Sequence, residues 1–240
     1  MCSSDLIPLS PRLRSIAELV PHGCRYADVG TDHAYLPAWL LQHGVIQYAI
    51  ASDLREGPLE RARQTARRFG LTECISFRLC DGLSGIAPEE ADTISIAGMG
   101  GETIAAILSA APWSAQGERR WLLQPMSGVE DLRVWLSENG FSIRRERLSQ
   151  EGRTLYVTLL ACPGADAPLT PGERWAGRQT REDFDPLRGQ YLERLLSRAQ
   201  RALEGARSSR KDQDQARTRE FEAIHQDLTR LKEEWDAWHR

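Results

Sequence analysis

The stretch from Ala27 to Pro37, ADVGTDHAYLP, brings carboxylates, a hydroxyl, an imidazole and a phenol together within a few positions. A short apolar run, Arg25 to Val29, carries one acid, Asp28, and stops at Gly30. Helical spacing resumes near Ala34. This order predicts a strand, a tight turn and a helix, the opening of a nucleotide-binding βαβ unit. Gly30 lets the backbone turn sharply and approach a ligand closely. With one glycine rather than G-x-G-x-x-G, an ordinary β–α turn is an equally open reading. Thr31, Asp32 and His33 fill the turn. Asp32 and His33 are residue types that move protons or position a substrate. The same spacing allows Asp32 to cap the next helix and His33 to be a satisfied polar residue. Asp28, inside the strand, needs a partner, because an unpaired buried carboxylate is costly.

Other acids and glycines recur at the ends of later β runs. Asp53 lies at the end of YAIASDL, 23 positions after Gly30. An acid there accepts hydrogen bonds from both hydroxyls of a ribose; a solvated turn residue is the alternative. Asp81-Gly82 follows the run 75–79, and Asp-Gly is also a common turn pair. Gly98-Met99-Gly100-Gly101 follows the run 93–97, where small residues leave room for a flat substrate and expose backbone N–H groups. Three acids and a glycine at the ends of successive strands are more informative together than singly.

Several elements must position these groups. Residues 10–20 form a helix with Ser10 as N-cap and Pro11 in the first turn. Strands are expected at 25–29, 48–54, 75–79, 93–97 and 121–124, with helices at 34–43, 56–69, 102–110 and 129–138 between them. Two further β runs, 141–148 and 154–161, flank a turn at Glu151-Gly152. Alternating strands and helices predict a doubly wound α/β sheet, and the last pair predicts an antiparallel edge. The expected fold is Rossmann-like, with a mostly parallel seven-stranded sheet, the pattern of class I methyltransferases rather than dehydrogenases. Its ligand belongs outside the carboxyl ends of the strands. In such a sheet Asp81 accepts the adenine amino group of S-adenosylmethionine, and Asp28 reaches the ammonium of its methionyl group, directly or through water. The expected cofactor-binding set is Asp28, Gly30, Thr31, Asp53, Asp81, Gly82, Gly98, Met99 and Gly100. The chain lacks the (Asn/Asp)-Pro-Pro-aromatic motif of many amino-methylating enzymes at the fourth strand.

The chain has 240 residues, 27% charged and 41% hydrophobic, enough for one α/β domain and a smaller appendage. A net charge of −3 gives no bulk argument for nucleic-acid binding, so only local patches can supply it. Basic clusters occur at Arg61 to Arg68, at Arg144 to Arg147, and along the tail at Arg194, Arg198, Arg201, Arg207, Arg210 and Lys211. Solvated helix faces are the plainer reading of each. The five cysteines are scattered without Cys-x-x-Cys pairs, so no metal site is expected, and reduced thiols fit a cytoplasmic location. The first residues, MCSSDLIPLSPRL, lack a basic start followed by an apolar core, so no signal peptide is expected, and no run suits a membrane span.

Composition shifts at Pro163, where PGADAPLTPG reads as a linker between a domain at 1–163 and a helical domain at 171–240. After Pro171 there are 15 Lys/Arg and 14 Asp/Glu. Leu192, Leu195, Ala199, Ala202 and Ala206 step by 3 and 4, as do Phe221, Ile224, Leu228, Leu231, Trp235 and Trp238. The polar break GARSSRKD separates them. This predicts a coiled-coil hairpin of two antiparallel helices.

LSPRL (9–13), ADVGTDHAYLP (27–37), EGP (56–58), AGMGG (97–101), QP (124–125) and DLRVWLSENGF (131–141) together resemble the bacterial tRNA (adenine-22, N1)-methyltransferases. The resemblance covers about 5–162, and more loosely the tail. It implies S-adenosylmethionine as cofactor and tRNA as substrate, with the family's catalytic aspartate at Asp32 and with His33 and Tyr35 holding the base. It also implies that the tail grips tRNA, which requires one basic face. The chain departs from the family in Thr31, where Ser is usual, and in Met126, where Asn is usual, so no side-chain amide contact is expected at 126. A monomer or weak homodimer is expected, without membrane or metal. Two other classes remain: a methyltransferase of another RNA or of a small molecule, with the tail serving dimerisation, and a non-catalytic RNA- or protein-binding module that keeps the fold.

Overall fold

The computed structural model describes residues 6–208 and 214–239. They divide into two compact units, Met1–Asp166 and Ala167–Arg240. Arg210 and Lys211, with the second half of the expected polar break, lie outside the described residues.

The first unit opens with helix α1 (Pro11–Ala17), capped by the Ser10 hydroxyl, which accepts from Leu13 N–H. Strands and helices then alternate: β1 (Tyr26–Val29), α2 (Tyr35–Gln42), β2 (Ala49–Asp53), α3 (Glu56–Arg68), β3 (Ile75–Leu79), β4 (Thr93–Gly100), α4 (Gly101–Ser109), β5 (Arg120–Ser127), α5 (Val129–Glu138), β6 (Phe141–Glu151) and β7 (Thr154–Pro163). They build one seven-stranded sheet in the order β3-β2-β1-β4-β5-β7-β6. β1 to β5 are parallel, and β7 inserts antiparallel between β5 and the edge strand β6. β1 and β2 are buried at every position, as strands covered on both faces must be. Ile16, Tyr26, Leu36, Leu40, Ile46 and Leu122 belong to one apolar core beside the sheet.

Four strands run further than their apolar patterns predict: β6 reaches Glu151 and β7 reaches Pro163, and β4 and β5 extend at the carboxyl rim of the sheet. β4 continues through Gly98-Met99-Gly100, which sequence alone places after the strand. Ala97 pairs with Gln124 and Met99 with Pro125, so Gly98 is the extra residue of a bulge; Gly100 then pairs with Ser127, so Met126 is an extra residue on β5. β5 also continues through Pro125. Its pairing with β7 ends at Leu123, so the missing N–H of Pro125 breaks no ladder on that side. Bulges redirect side chains and recur beside active sites.

The sheet unit extends to Asp166, past the expected boundary at 163. Asp166 accepts from the Ser142 hydroxyl at 2.7 Å and from Ile143 N–H at 3.0 Å, which ties that segment to β6.

The second unit holds α6 (Pro171–Ala176), α7 (Arg188–Ser208) and α8 (Asp214–Trp238). The expected linker therefore runs into a helix, whose start carries a capping box between Thr170 and Glu173. Asp227 on α8 accepts from Thr170 and from Gly172 N–H. α7 and α8 are antiparallel, with Arg207 paired to Glu222 near one end and Lys232 to Glu193 near the other. Leu192, Leu195, Ala199, Ala206, Ile224, Leu228, Leu231 and Trp235 are buried as the spacing predicts. Leu203 fills the position assigned to Ala202, because the bulkier neighbour gains more by facing inward. α7 also runs through Gly205 to Ser208, the first half of the expected break.

Candidate active site

β1 lies between β2 and β4, so connections leave it in opposite directions and open a crevice at the carboxyl ends of β1 and β4. Gly30 (φ +75°) and Gly98 (φ +77°) occupy the two sides, both in the left-handed region that favours glycine. The Gly30 and Thr31 N–H groups both donate to Ser52 O, at 2.8 and 3.0 Å, which pins the turn to β2. The Met99 side chain lies over Gly30, where a Cβ would stand 2.1 Å from its Cε.

Asp28 finds the partners that its burial demands. The Ser95 hydroxyl, in register across β4, donates to Oδ1 at 2.5 Å, and the Thr31 hydroxyl donates to Oδ2 at 2.7 Å. Burial pushes the Asp28 carboxyl above its ordinary range, and those two hydrogen bonds pull it back. Asp28 therefore meets the crevice through Thr31.

Asp32 does not cap α2. The N-cap is Ala34, in a left-handed conformation without a side-chain cap, and Asp32 is itself left-handed at φ +45°. Two such residues within three positions are a strained turn, a feature that concentrates at functional sites. The turn throws the Asp32 carboxylate outward, where Arg61 on α3 donates to Oδ1 and His33 Nε2 stands 3.6 Å from Oδ2. The His33 and Tyr35 rings are nearly parallel, 8° apart with centroids at 5.2 Å.

Asp53 ends β2. Its Oδ1 accepts from Arg55 N–H at 2.9 Å. Its Oδ2 has no partner among the described residues, the acceptor a ribose requires. Asp81 and Gly82 follow β3 and form one wall of a largely apolar cleft of about 450 Å³ against α4, with Leu83, Ile107, Ala110 and Trp113. Cys80 N–H, beside them, donates to Asp53 O at 3.1 Å, joining the ends of β2 and β3.

All the expected residues thus fall along one rim of the sheet: Asp28, Gly30, Thr31, Asp32, His33 and Tyr35 at β1, Asp53 at β2, Asp81 and Gly82 at β3, and Gly98, Met99 and Gly100 at β4. Of seven large hydrophobic residues exposed in the described chain, Tyr35, Leu54, Leu79 and Met126 lie at or just past these carboxyl ends. An apolar rim with acids between is suited to flat heterocycles joined to sugars. These features fit a nucleoside-bearing cofactor. No group of three or more His, Cys, Asp or Glu suited to a metal occurs among the described residues.

The basic cluster on α3 is largely spoken for: Arg61 meets Asp32, Arg63 meets Glu56 at 2.5 Å, and Arg67 meets Glu60 at 2.5 Å. Sequence reasoning missed three contributors. Ser95 was visible only as a polar residue in a buried strand, while Arg12 and Gln124 sat unremarked inside LSPRL and QP. Arg12 Nη1 donates to Gln124 Oε1 at 2.6 Å.

A family model described as "Methyltransferase domain" matches residues 9–159. The tRNA (adenine(22)-N(1))-methyltransferase of Bacillus subtilis (strain 168) is 39% identical over 158 residues, 66% of this chain and 66% of that protein, so the match spans just under two thirds of that relative's length. The crystal structure of the B. subtilis M1A22 tRNA methyltransferase TrmK is similar with a TM-score of 0.83 at 30% identity, covering 94% of this chain and 99% of that one. The structure of M. capricolum TrmK with S-adenosyl-homocysteine is similar with a TM-score of 0.76 at 26% identity, covering 92% and 98%. No helix among the described residues is long and apolar enough to cross a membrane.

Proposed function

This chain belongs to the methyltransferase-domain family, and within it to the bacterial tRNA (adenine(22)-N(1))-methyltransferases; on that premise we propose that it moves a methyl group from S-adenosylmethionine to N1 of adenine 22 in tRNA. The cofactor, when bound, supplies an electrophilic sulfonium methyl. In this reading Asp53 Oδ2 accepts the ribose hydroxyls, Asp81 and Gly82 meet the adenine edge, and exposed Leu54 covers its face. Gly30, Thr31, Gly98, Met99 and Gly100 line the methionyl group, and Asp28 holds Thr31 in place.

Adenine N1 has a lone pair and attacks directly, so the protein's work is alignment and charge. Positive charge develops on the base. The Asp32 carboxylate, placed near the N6 amino group, stabilises that charge and accepts a proton as it is relieved. His33 and Tyr35 offer ring faces to hold the base. N1 is paired inside a duplex, so the base enters unpaired or flipped out. The second unit grips tRNA by shape and phosphate. Arg194, Arg198 and Arg201 recur at helical spacing on α7 and supply its basic face. The protein works in the cytoplasm as a monomer or weak homodimer.

The observation that carries this reading is the strained turn that sets the Asp32 carboxylate at the mouth of the crevice. The test is transfer of labelled methyl to an unmodified tRNA transcript, beside one with guanine in place of adenine 22. Label in the first alone, lost in Asp32→Asn, supports the reading; no label in either, with cofactor bound, removes tRNA adenine 22 as the substrate.

A further inference from the structure

Arg12 comes from α1, outside every βα unit, yet its guanidinium ends at the rim of the crevice. Nη1 donates to Oε1 of Gln124, a wholly buried amide within β5, just before the β5 bulge. Gln124 is itself fixed, since its Nε2 donates to Pro125 O at 3.0 Å. Nη1 stands 3.8 Å from where a Cβ on Gly98 would lie, which places the guanidinium in contact range of the β4 bulge. Below, the guanidinium covers the Tyr156 ring at 5.9 Å.

A guanidinium carries five N–H donors. Here a single hydrogen bond is made, and Nε and Nη2 have no acceptor among the described residues. Glu151 is the nearby acid and its carboxyl is lowered by the Ser10 hydroxyl and in part by the Arg12 charge, but its Oε1 accepts the backbone N–H of Arg12, at 3.0 Å, and makes no hydrogen bond to the guanidinium. The hydrogen-bonding partner of the side chain is a neutral amide, which orients the charged guanidinium and leaves its remaining donors open. Tethering α1 does not require that charge, because Ser15 and Thr158 already join α1 to β7 through a 2.8 Å hydroxyl pair. A fixed, partly buried arginine with donors to spare is built for an oxyanion.

We propose that Arg12 is the oxyanion receptor of this site, held by Gln124 to take a carboxylate or phosphate oxygen brought in by one reactant. Two sources carry that chemistry: the carboxylate of the cofactor's methionyl group, and a phosphate of the RNA strand that delivers the base. The assignment rests on the methyl-transfer reading of the site.

The test uses the full chain and the variants Arg12→Ala, Arg12→Lys and Arg12→Gln. The glutamine retains a neutral donor for Gln124 and stands in if alanine fails to fold. Calorimetry gives Kd for S-adenosylhomocysteine and for 5′-methylthioadenosine, which lacks the carboxylate. Kinetics give KM and kcat for the tRNA transcript across a salt series. A carboxylate at Arg12 predicts about tenfold or greater weakening of S-adenosylhomocysteine in the alanine and glutamine variants, partial recovery in the lysine variant, and unchanged methylthioadenosine. A phosphate predicts unchanged cofactor binding, a KM for tRNA raised about tenfold, and a salt slope reduced by about 1. Folded variants that alter neither quantity overturn the proposal. Wild-type protein that binds cofactor but methylates no transcript overturns the tRNA reading instead, and the two-ligand comparison still decides whether Arg12 takes the carboxylate.

Discussion

Arg61, one turn into α3, donates to the Asp32 carboxylate across 29 positions of sequence and fixes which way that group leaves its strained turn. Both side chains are about half exposed, so the pair adds little to stability. Its effect is on aim. Asp32→Asn tolerates the left-handed backbone and removes the charge, so methyl transfer should fall by about a hundredfold or more while cofactor Kd holds. Arg61→Ala should lower kcat by about tenfold with a melting temperature close to wild type. Unchanged kcat in both variants would place the chemistry elsewhere.

The residues along the rim were legible because strands buried on both faces read as short apolar runs, and the residues just after each run fall at one edge of the sheet. Their partners were not legible. Arg61 meets Asp32, and Arg12 meets Gln124 across 112 positions, through folding that no local pattern encodes. The ends of β4 and β5 were missed for a related reason: Gly98, Gly100 and Pro125 are breakers by local propensity, yet paired bulges and the end of the β7 ladder accommodate them. Arg133, inside the motif DLRVWLSENGF, is wholly buried and pairs with Glu146 on β6 at 2.6 Å, so part of the family signature is structural.

Asp28 gives a pH signature. Burial raises its folded pKa above the unfolded value of about 3.9. Between those two values the folded state binds more protons than the unfolded one, so stability falls as pH rises through that window. Asparagine can still accept from Ser95 and hydrogen-bond Thr31, but it does not titrate. The wild type should therefore lose stability relative to Asp28→Asn as pH rises from about 4 toward neutrality, measured by urea unfolding. Parallel stability curves would mean that the hydrogen bonds fully offset burial.

Glu90 acts in the opposite sense. The Arg78 guanidinium donates to both of its oxygens, at 2.6 and 2.7 Å, and with Ala87 N–H it holds the carboxyl down to about 2. Stability from this pair is present above the unfolded value of about 4.3 and is lost as pH falls toward about 2. The groups are partly exposed, so about 1 kcal/mol is the expected size. Arg78 also donates to Gly85 O at 2.7 Å, so the pair braces the loop that carries Asp81 and Gly82. Glu90→Gln should raise the Kd for S-adenosylhomocysteine several-fold at neutral pH, and wild type should approach the variant's stability near pH 2. A variant with unaltered Kd would separate the brace from the site.

Gly30 and Met99 are coupled by space as well as by place. A Cβ at Gly30 meets Met99 Cε, the far end of a flexible side chain, and the φ of +75° disfavours any L side chain. Gly30→Ala should therefore carry two penalties: about 1–2 kcal/mol for the left-handed backbone and a further amount for moving Met99. Met99→Ala removes the second obstacle but not the first. In a double-mutant cycle the cost of Gly30→Ala should be smaller in the Met99→Ala background, leaving the backbone penalty alone. Additive costs would show that Met99 swings clear without strain. Cofactor Kd, read on the same four proteins, should follow the backbone rather than the clash. It should rise in both proteins that carry the Gly30→Ala substitution, because the turn sets how closely the chain approaches its ligand.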